Sequence, residues 1–210
     1  HTPEQVLGAL QERRHPFLLD SADPSHPDGR FSILGCEPWG LYRARRGEAW
    51  METETGRVGF DDPLDGLSQT LAAVQGPPPP GDLPLAGGAV GFVSYDLGRV
   101  IERLPDDTED DLATDELFFA FYDWMLVFDH AGGQWHLTAT ARQPDLESLD
   151  RVLDRAEALL ADWLAAVPAL AEPPVIAPST AVSGFTLPAR PIWRPWGGPS
   201  STSTPGTSTR

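Results

Sequence analysis

Residues 117–130 read LFFAFYDWMLVFDH, and this stretch decides the fold. It is dense in Phe, Tyr, Trp and Val, the aromatic and β-branched residues that favour extended backbone, so we predict a strand over its whole length. Gly132 and Gly133 follow directly, and a Gly-Gly pair after such a run predicts a tight turn into a second strand over residues 134–141. The chain is therefore expected to build its core on a long antiparallel hairpin.

Further strands are predicted on the N-terminal side of this hairpin, where short apolar runs alternate with turn residues. They cover residues 17–19, 31–35, 40–45, 48–53, 57–60 and 85–95. The four runs between residues 31 and 60 are separated by turns that mostly contain Gly, and runs joined by short turns predict a β meander over this part of the chain. A helical turn over residues 97–101 and a solvated acidic loop over residues 106–116 are predicted to follow.

Three helices are predicted to cover the strands. The first begins at Pro3, because Thr2 is a good N-cap and Gln5 is placed to complete a capping box. The second begins at Pro63, and the third keeps a 3.6-residue apolar period up to Val167. We expect the second helix to bury one apolar face, formed by Leu64, Leu67, Leu71 and Val74. These elements predict an α+β fold of antiparallel β meanders and hairpins packed with a few covering helices.

Length and composition limit the class of protein. The predicted elements place one domain over residues 1–167 of a 210-residue chain, which is long enough to bury a core. A net charge of −16 argues against nucleic acid and acidic membranes as partners, since both require a basic surface. No apolar run is long enough to span a membrane.

The single cysteine, Cys36, excludes an internal disulfide and favours a reducing, cytoplasmic location. We interpret it as a small buried hydrophobic residue.

The sequence lacks the common signatures of an independent catalyst. Its five histidines are scattered without the spacing of metal ligands, and the acidic loop lacks the alternating ligands and central Gly of a calcium loop. No Ser stands in a Gly-x-Ser-x-Gly frame, and the glycines of residues 87–91 lie within an apolar strand instead of between a strand and a helix. We therefore predict no catalytic residue, metal ligand or cofactor in this chain, and the residues alone favour a binding or structural domain.

Three segments are notable for their order and spacing. They are FLLDS at residues 17–21 with GRFSILG at 29–35, GGAVGFVSYDLGR at 87–99, and YDW at 122–124 with VFDH at 127–130. Over about residues 3–167 the chain resembles the N-terminal domain of the chorismate-utilising synthases, anthranilate synthase component I and aminodeoxychorismate synthase component I. The YDLGR and YDW sequences are more similar to the aminodeoxychorismate, or folate, branch, and the tryptophan branch stays as the alternative.

This resemblance implies that the chain is part of a larger enzyme. In the family a C-terminal domain binds chorismate and Mg²⁺, and a glutamine amidotransferase subunit supplies the ammonia that displaces the ring hydroxyl. The implied product is 4-amino-4-deoxychorismate, for p-aminobenzoate and folate synthesis, and this chain alone is expected to be inactive. The first alternative is the N-terminal domain of anthranilate synthase with a tryptophan feedback site. The second alternative is a non-enzymatic acidic binding module.

The family's effector pocket lies near a Leu-Leu-Glu-Ser motif, which this chain matches as LLDS at residues 18–21. The resemblance implies that the Asp20 carboxylate pairs with the amino group of a tryptophan effector and that Ser21 hydrogen-bonds to it. The candidate effector-binding residues are Leu19, Asp20, Ser21, Arg30 and Ser32. The alternative interpretation is that Asp20 and Ser21 end a strand and cap a turn.

The composition changes near the end of the chain. Residues 173–210 contain no Asp or Glu, and from about residue 188 Pro, Gly, Ser, Thr, Arg and Trp predominate without an apolar period. We predict a linker over residues 168–187, toward a missing chorismate-binding domain, and a disordered tail over residues 188–210. Permitted codons from Pro191 onward, read one nucleotide out of register, regroup to YLAAVGRSIEYIHAGDVYQ, which is similar to the start of the family's catalytic domain. A frameshift therefore accounts for the tail, and a genuine Ser/Thr/Pro linker is the alternative.

Sequencing the DNA across the codons of Thr186 to Pro188 tests this interpretation. We expect one nucleotide gained or lost there, relative to a reading frame that continues into a Tyr-Gln-Val-Asn segment. If none of the downstream reading frames encodes that segment, the tail is a genuine linker.

Overall fold

The chain folds around two antiparallel sheets in a computed structural model. The structure describes residues 1–166 except residues 22, 24, 25, 27, 75–77, 80, 104–111 and 142–145, and it describes no side chains at residues 146–148 and 163–166. The predicted linker over residues 168–187, the predicted tail over residues 188–210 and most of the predicted acidic loop lie outside the described residues.

Four helices and nine strands are present in the described residues. The helices are α1 (Pro3–Leu10), α2 (Pro63–Ala73), α3 (Gly98–Ile101) and α4 (Leu146–Ala166). The strands are β1 (Phe17–Leu19), β2 (Phe31–Gly35), β3 (Gly40–Arg45), β4 (Glu48–Thr53), β5 (Gly56–Phe60), β6 (Gly88–Val93), β7 (Leu117–Tyr122), β8 (Trp124–Asp129) and β9 (Gln134–Ala139). A short 3₁₀ turn, Tyr95–Leu97, precedes α3.

The strands form two sheets in which every pairing is antiparallel. Sheet A has the order β1-β2-β8-β9, and sheet B has the order β5-β4-β3-β7-β6. The strands β3, β4 and β5 form three strands of the predicted meander, and β8 and β9 form the predicted hairpin. The inclusion of β2 in the meander was wrong, because residues 36–39 carry the chain from sheet A to sheet B and β2 pairs with β1 and β8. Gly133 in its turn has φ +61°, a left-handed conformation that Gly adopts without steric cost. The α+β fold predicted from the sequence is confirmed.

The single strand predicted over residues 117–130 is in fact two strands in two sheets. β7 pairs with β3 and β6 in sheet B, β8 pairs with β2 and β9 in sheet A, and Asp123 alone lies between them. The prediction was wrong because every residue from Ala120 to Val127 is buried. A stretch that is buried on both faces shows no apolar alternation, so nothing in its pattern marks the change of sheet.

An ion pair holds Asp123 at this change of sheet. The Asp123 side chain is 0% exposed, and its Oδ1 accepts a hydrogen bond of 2.6 Å from Nη2 of Arg155 on α4. The backbone carbonyl of Asp123 accepts from the N–H of Thr140 at 2.8 Å. A buried carboxylate requires such a partner, because an isolated charge in the interior is strongly destabilising.

Three groups of apolar side chains order the elements into layers. α1 and α4 pack on sheet A around Leu34, Trp124 and Leu126. α2 packs on sheet B around Tyr42 and Phe121. The third group joins the two sheets and contains Ala120, Tyr122 and Met125, with Phe17, Ile33, Leu41, Leu85, Val90 and Phe118 packed against them. The sheets therefore form the two inner layers, with helices outside each.

Cys36 belongs to the group beneath α1 and α4. It is 1% exposed, and burial is the main cause that raises the pKa of its thiol to about 12. The interpretation of Cys36 as a small buried residue is confirmed.

The apolar face predicted for α2 is only partly correct. Leu64 and Leu71 are 39% and 43% exposed. The buried face contains Pro63, Gly66 and Thr70, with Leu67 and Val74 partly buried against sheet B. A Cβ atom at Gly66 would overlap the Tyr42 hydroxyl and the Phe60 side chain, so the smallest residue of the helix sets its closest approach to the sheet. The apolar period did not reveal this, because Gly66 carries no hydrophobic signal.

Two other predicted helix and strand ends are settled by the structure. The capping box of α1 is confirmed: the Thr2 N–H donates to Gln5 Oε1 at 3.0 Å, and the Gln5 N–H donates to Thr2 Oγ1 at 3.4 Å. The strand predicted over residues 85–95 is shorter, because β6 covers only Gly88–Val93 and the 3₁₀ turn takes up Tyr95.

Among the helices that the structure describes, none has the length and apolar character needed to cross a membrane.

Replacing Gly91 by Ala should destabilise the protein. A Cβ atom at this position of β6 would overlap the backbone carbonyl of Phe118 on the paired strand β7. We expect Gly91→Ala to lower the free energy of unfolding in urea by about 1–3 kcal/mol, the usual cost of overpacking. Gly88→Ala in the same strand is the matched control, since the nearest atom to its Cβ, Met125 Cε, is 3.8 Å away. Equal stability of the two variants would show that β6 and β7 do not pack this closely.

Candidate functional site

The predicted effector-binding residues lie at one end of sheet A, where β1 ends and β2 begins. The β1–β2 register pairs Leu19 with Ile33, so the next residues, Asp20 and Ser21, come opposite Ser32 and Phe31. Arg30 directly precedes β2. Antiparallel pairing therefore brings together residues that are about ten positions apart in the sequence.

Ser32 is the centre of a hydrogen-bonded cluster. Its side chain is 0% exposed, and its Oγ lies 2.7 Å from Asp20 Oδ1 and 2.7 Å from His130 Nε2. The backbone N–H of Ser21 donates to the same oxygen at 3.2 Å. We call these four residues, Asp20, Ser21, Ser32 and His130, the Ser32 cluster.

Ser21 has a structural role within this cluster. Its hydroxyl donates to the backbone carbonyl of Phe31 at 2.6 Å, which ties the segment after β1 to the start of β2. This bond is what the strand-ending interpretation of Ser21 predicts, and it commits the only hydrogen of that hydroxyl. A hydrogen bond from an effector to Ser21 stays a prediction, and only the lone pairs of its oxygen are left for one.

Arg30 forms a separate ion pair beside the cluster. Its Nη2 lies 2.9 Å and its Nε 3.2 Å from the carboxylate of Asp129, the last residue of β8. The guanidinium also lies 4.6 Å from the centre of the Phe31 ring and 3.6 Å from Asp82. Hydrogen bonds from Arg30 lower the pKa of the Asp129 carboxyl, with burial acting in the opposite direction. Arg30 is thus directed to a carboxylate of its own chain.

Leu19 takes no part in this hydrogen-bonded network. Its side chain is 49% exposed at the end of β1. Its register partner Ile33 packs between the two sheets, whereas Asp20 bonds to Ser32 on the opposite face of sheet A, so the Leu19 and Asp20 side chains point to different faces. Binding at these residues stays a prediction.

Sequence reasoning missed two residues of this region, His130 and Asp129. Both lie in the VFDH segment that carried part of the family resemblance, but neither was selected as a site residue. The contacts that bring them to the site span 98 residues for Ser32 with His130 and 99 for Arg30 with Asp129. Only the pairing of β2 with β8 reveals them, and no local pattern predicts that pairing.

The geometry of the Ser32 cluster does not support nucleophilic catalysis. Ser, His and Asp are the residue types of hydrolase triads, but in a triad the histidine stands between the serine and the aspartate so that it takes the serine's proton. Here Ser32 stands between Asp20 and His130 and is fully buried. The arrangement instead holds the exposed Asp20 carboxylate through the buried Ser32 hydroxyl, which suits the recognition of a cationic group.

Two further features of the described residues concern metal binding and a cleft. They contain no group of three or more His, Cys, Asp or Glu side chains arranged to hold a metal ion. A cleft of about 310 Å³ lies away from the Ser32 cluster, at one end of β6 and β7. It is lined mainly by apolar residues, including Trp39, Val74, Leu85, Gly87 and Phe121.

Comparison with known proteins identifies the family that this chain matches. The profile of a family described as chorismate binding enzyme matches residues 14–183. Aminodeoxychorismate synthase component 1 of Salmonella typhimurium is 43% identical over 116 residues, which are 54% of this chain and 26% of that protein. Anthranilate synthase component 1 of Thermus thermophilus is 38% identical over 130 residues, 61% of this chain and 27% of that protein.

A solved structure gives the same result for the fold. Anthranilate synthase component I from Streptococcus pneumoniae superposes with a TM-score of 0.52 at 29% identity, over 63% of this chain and 29% of that one. The chain belongs to the chorismate binding enzyme family, since the family profile matches most of its length. It spans between a quarter and a third of the length of these relatives.

The ion pair of Arg30 with Asp129 should make stability depend on pH. Because the pKa of Asp129 is lowered in the folded protein, the unfolded chain binds a proton at higher pH than the folded one. The stabilisation is therefore present at neutral pH and is lost as the pH falls through the ordinary pKa of an Asp and then through the lowered pKa of the folded state. In Arg30→Gln the pKa of Asp129 rises toward its ordinary value, so we expect a smaller drop of the unfolding free energy over this range.

Urea unfolding at a series of pH values measures this effect. Arg57→Gln is the matched control, because Arg57 pairs with Glu48 only at 3.8 Å and both side chains are more than half exposed, at 54% and 79%. The control should follow the pH dependence of the parent chain. If the free energy of unfolding of Arg30→Gln falls at low pH as steeply as that of the parent chain, Arg30 does not lower the pKa of Asp129.

Proposed function

We propose that this chain is the N-terminal, scaffold and effector-binding part of an aminodeoxychorismate synthase component I. The full-length enzyme would convert chorismate and ammonia to 4-amino-4-deoxychorismate, for p-aminobenzoate and folate synthesis. The observation that carries this proposal is the family match over residues 14–183, together with 43% identity to aminodeoxychorismate synthase component 1 of Salmonella typhimurium. The YDLGR and YDW sequences support the folate branch over the tryptophan branch.

Catalysis is proposed to depend on residues outside this chain. The chain covers only 26% of that relative, and the described residues contain no group of three or more His, Cys, Asp or Glu side chains arranged to hold a metal ion. In the full-length enzyme Mg²⁺ would stabilise negative charge on the leaving hydroxyl, and the ligands for it would lie elsewhere. The family match ends at residue 183, before the codons of Thr186 to Pro188, which supports a change of reading frame there.

A partner subunit is also proposed. The relatives are named component 1, which indicates a second component. A glutamine amidotransferase that releases ammonia would supply the nucleophile for the displacement of the ring hydroxyl.

We further propose that the Ser32 cluster is one wall of an amino-acid effector site. The exposed Asp20 carboxylate would pair with the ammonium group of tryptophan. The alternative function, the N-terminal domain of an anthranilate synthase with tryptophan feedback, shares this site and is favoured by 38% identity to the Thermus thermophilus protein. Membership of the family argues against a stand-alone acidic module.

Turnover of chorismate tests the assignment of catalysis. The purified chain, mixed with chorismate, ammonium and Mg²⁺, should form no aminodeoxychorismate or anthranilate. A chimera of residues 1–166 with the remaining part of the Salmonella typhimurium enzyme should form aminodeoxychorismate, and it should do so faster than the matched chimera with the Thermus thermophilus remainder forms anthranilate. Product from the chain alone would place catalytic residues within it, and a faster anthranilate chimera would favour the tryptophan branch.

A further inference from the structure

We infer that His130 is a positioning residue of the Ser32 cluster. Its Nε2–H donates to the Ser32 hydroxyl, which donates in turn to Asp20 and fixes that carboxylate for the amino group of a ligand. The binding of a ligand with an amino group at Asp20 rests on the proposed function. The direction of the hydrogen bonds is inferred from the four residues of the Ser32 cluster alone.

The hydrogen-bond inventory of Ser32 sets this direction. A hydroxyl group has one hydrogen to donate and two lone pairs to accept with. The polar atoms around Ser32 Oγ are the Ser21 N–H at 3.2 Å, Asp20 Oδ1 at 2.7 Å and His130 Nε2 at 2.7 Å. The Ser21 N–H only donates and an ionised carboxylate only accepts. The single hydroxyl hydrogen therefore goes to Asp20, and the remaining lone pair accepts from His130.

The opposite tautomer of His130 would leave a repulsive contact. If Nε2 carried no hydrogen, it would compete with Asp20 for the one hydroxyl hydrogen. One of the two acceptors would then face Ser32 Oγ at 2.7 Å without a hydrogen between them. Ser32 is 0% exposed, so water does not relieve that contact, and an unsatisfied buried group is costly. The network therefore assigns the hydrogen to Nε2.

The surroundings of His130 hold the ring in the orientation that this bond requires. The backbone N–H of His130 donates to the Arg30 carbonyl at 2.9 Å, which continues the β2–β8 pairing by one step. The imidazole stands edge-on to the Phe128 ring with their centroids 4.9 Å apart. Phe128 is the register partner of Ser32, so Ser32, Phe128 and His130 lie on the same face of sheet A.

The consequence for a ligand is a carboxylate fixed in place before binding. Asp20 follows the last residue of β1 and is exposed, while its Oδ1 is held by Ser32. Among the described residues, no hydrogen bond engages the second carboxylate oxygen, which can accept from an ammonium group. A side chain that is already ordered loses less conformational entropy on binding than a mobile one. His130 contributes by ordering Asp20 through Ser32, without touching the ligand.

Nitrogen-15 NMR of a histidine-labelled sample tests the donor directly. The correlation between ring hydrogens and ring nitrogens shows which nitrogen of His130 is protonated, and its signals are assigned by their loss in His130→Gln. We expect a hydrogen on Nε2. A neutral His130 protonated on Nδ1 alone would overturn the inference, whatever the ligand proves to be.

Calorimetric titration with L-tryptophan tests the effect on binding. We expect His130→Phe, which removes the donor, to raise the Kd about tenfold, a change typical of one lost hydrogen bond. His130→Gln keeps an N–H donor and should restore most of the affinity. His136→Phe is the matched control, because His136 lies on β9 opposite Val127 and outside the cluster. It should bind like the parent chain.

The outcomes separate this inference from the proposed function. If His130→Phe binds as tightly as His130→Gln, His130 does not position Asp20. If the parent chain gives no heat with tryptophan, the proposed effector site fails. The NMR result then decides alone, with Nε2–H supporting the assignment of His130 and Nδ1–H overturning it.

Discussion

The change of sheet at Asp123 is the constraint on which the rest of the structure depends. One residue separates β7 in sheet B from β8 in sheet A, so an interior strand of each sheet continues into the other without a loop. The chain places a fully buried carboxylate at this point and matches it with Arg155 from α4. The pair therefore fixes the position of the outer helix as well as that of both sheets. A lone buried Asp123 would be strongly destabilising, and this ties the helix to the sheets energetically.

The same pairing recurs at the buried Asp129 and at the partly buried Asp115. Asp115 is paired with Arg43 at 2.8 Å and Asp129 with Arg30 at 2.9 Å, and in each pair the carboxylate is the less exposed partner. Arg suits this role because its aliphatic stem packs on apolar surface while its guanidinium forms hydrogen bonds and still reaches water. The chain has 15 basic residues against 31 acidic ones, so these pairs use arginines for buried acids and leave most of the negative charge on the surface.

Local signals were sufficient to predict most of the fold from the sequence. Turn residues mark the ends of the meander strands, and the Thr2–Gln5 pair marks the start of α1. Both could be predicted because these residues determine the backbone only a few positions away. The sequence did not predict the change of sheet at Asp123 or the buried face of α2, because each depends on contacts with residues far along the chain. For the site, family resemblance selected Asp20 and Ser32, but His130 reaches them only through the pairing of β2 with β8.

The central position of residues 117–129 also governs the order in which the protein assembles. β2 and β3 come from the first quarter of the chain, yet each pairs with a strand of this late segment, β8 and β7 respectively. Neither sheet is complete until the ribosome has released that segment. Its docking completes sheet B, and sheet A also needs β9, which follows it in the chain. The meander of β3 to β5 is the largest group of strands that pairs earlier. Such distant pairing is slow, since a long loop must close before its contacts form. During synthesis, therefore, the edges of β2 and β3 that later bond to β8 and β7 stay unpaired. Unpaired strand edges are prone to aggregation, and a chaperone would recognise them.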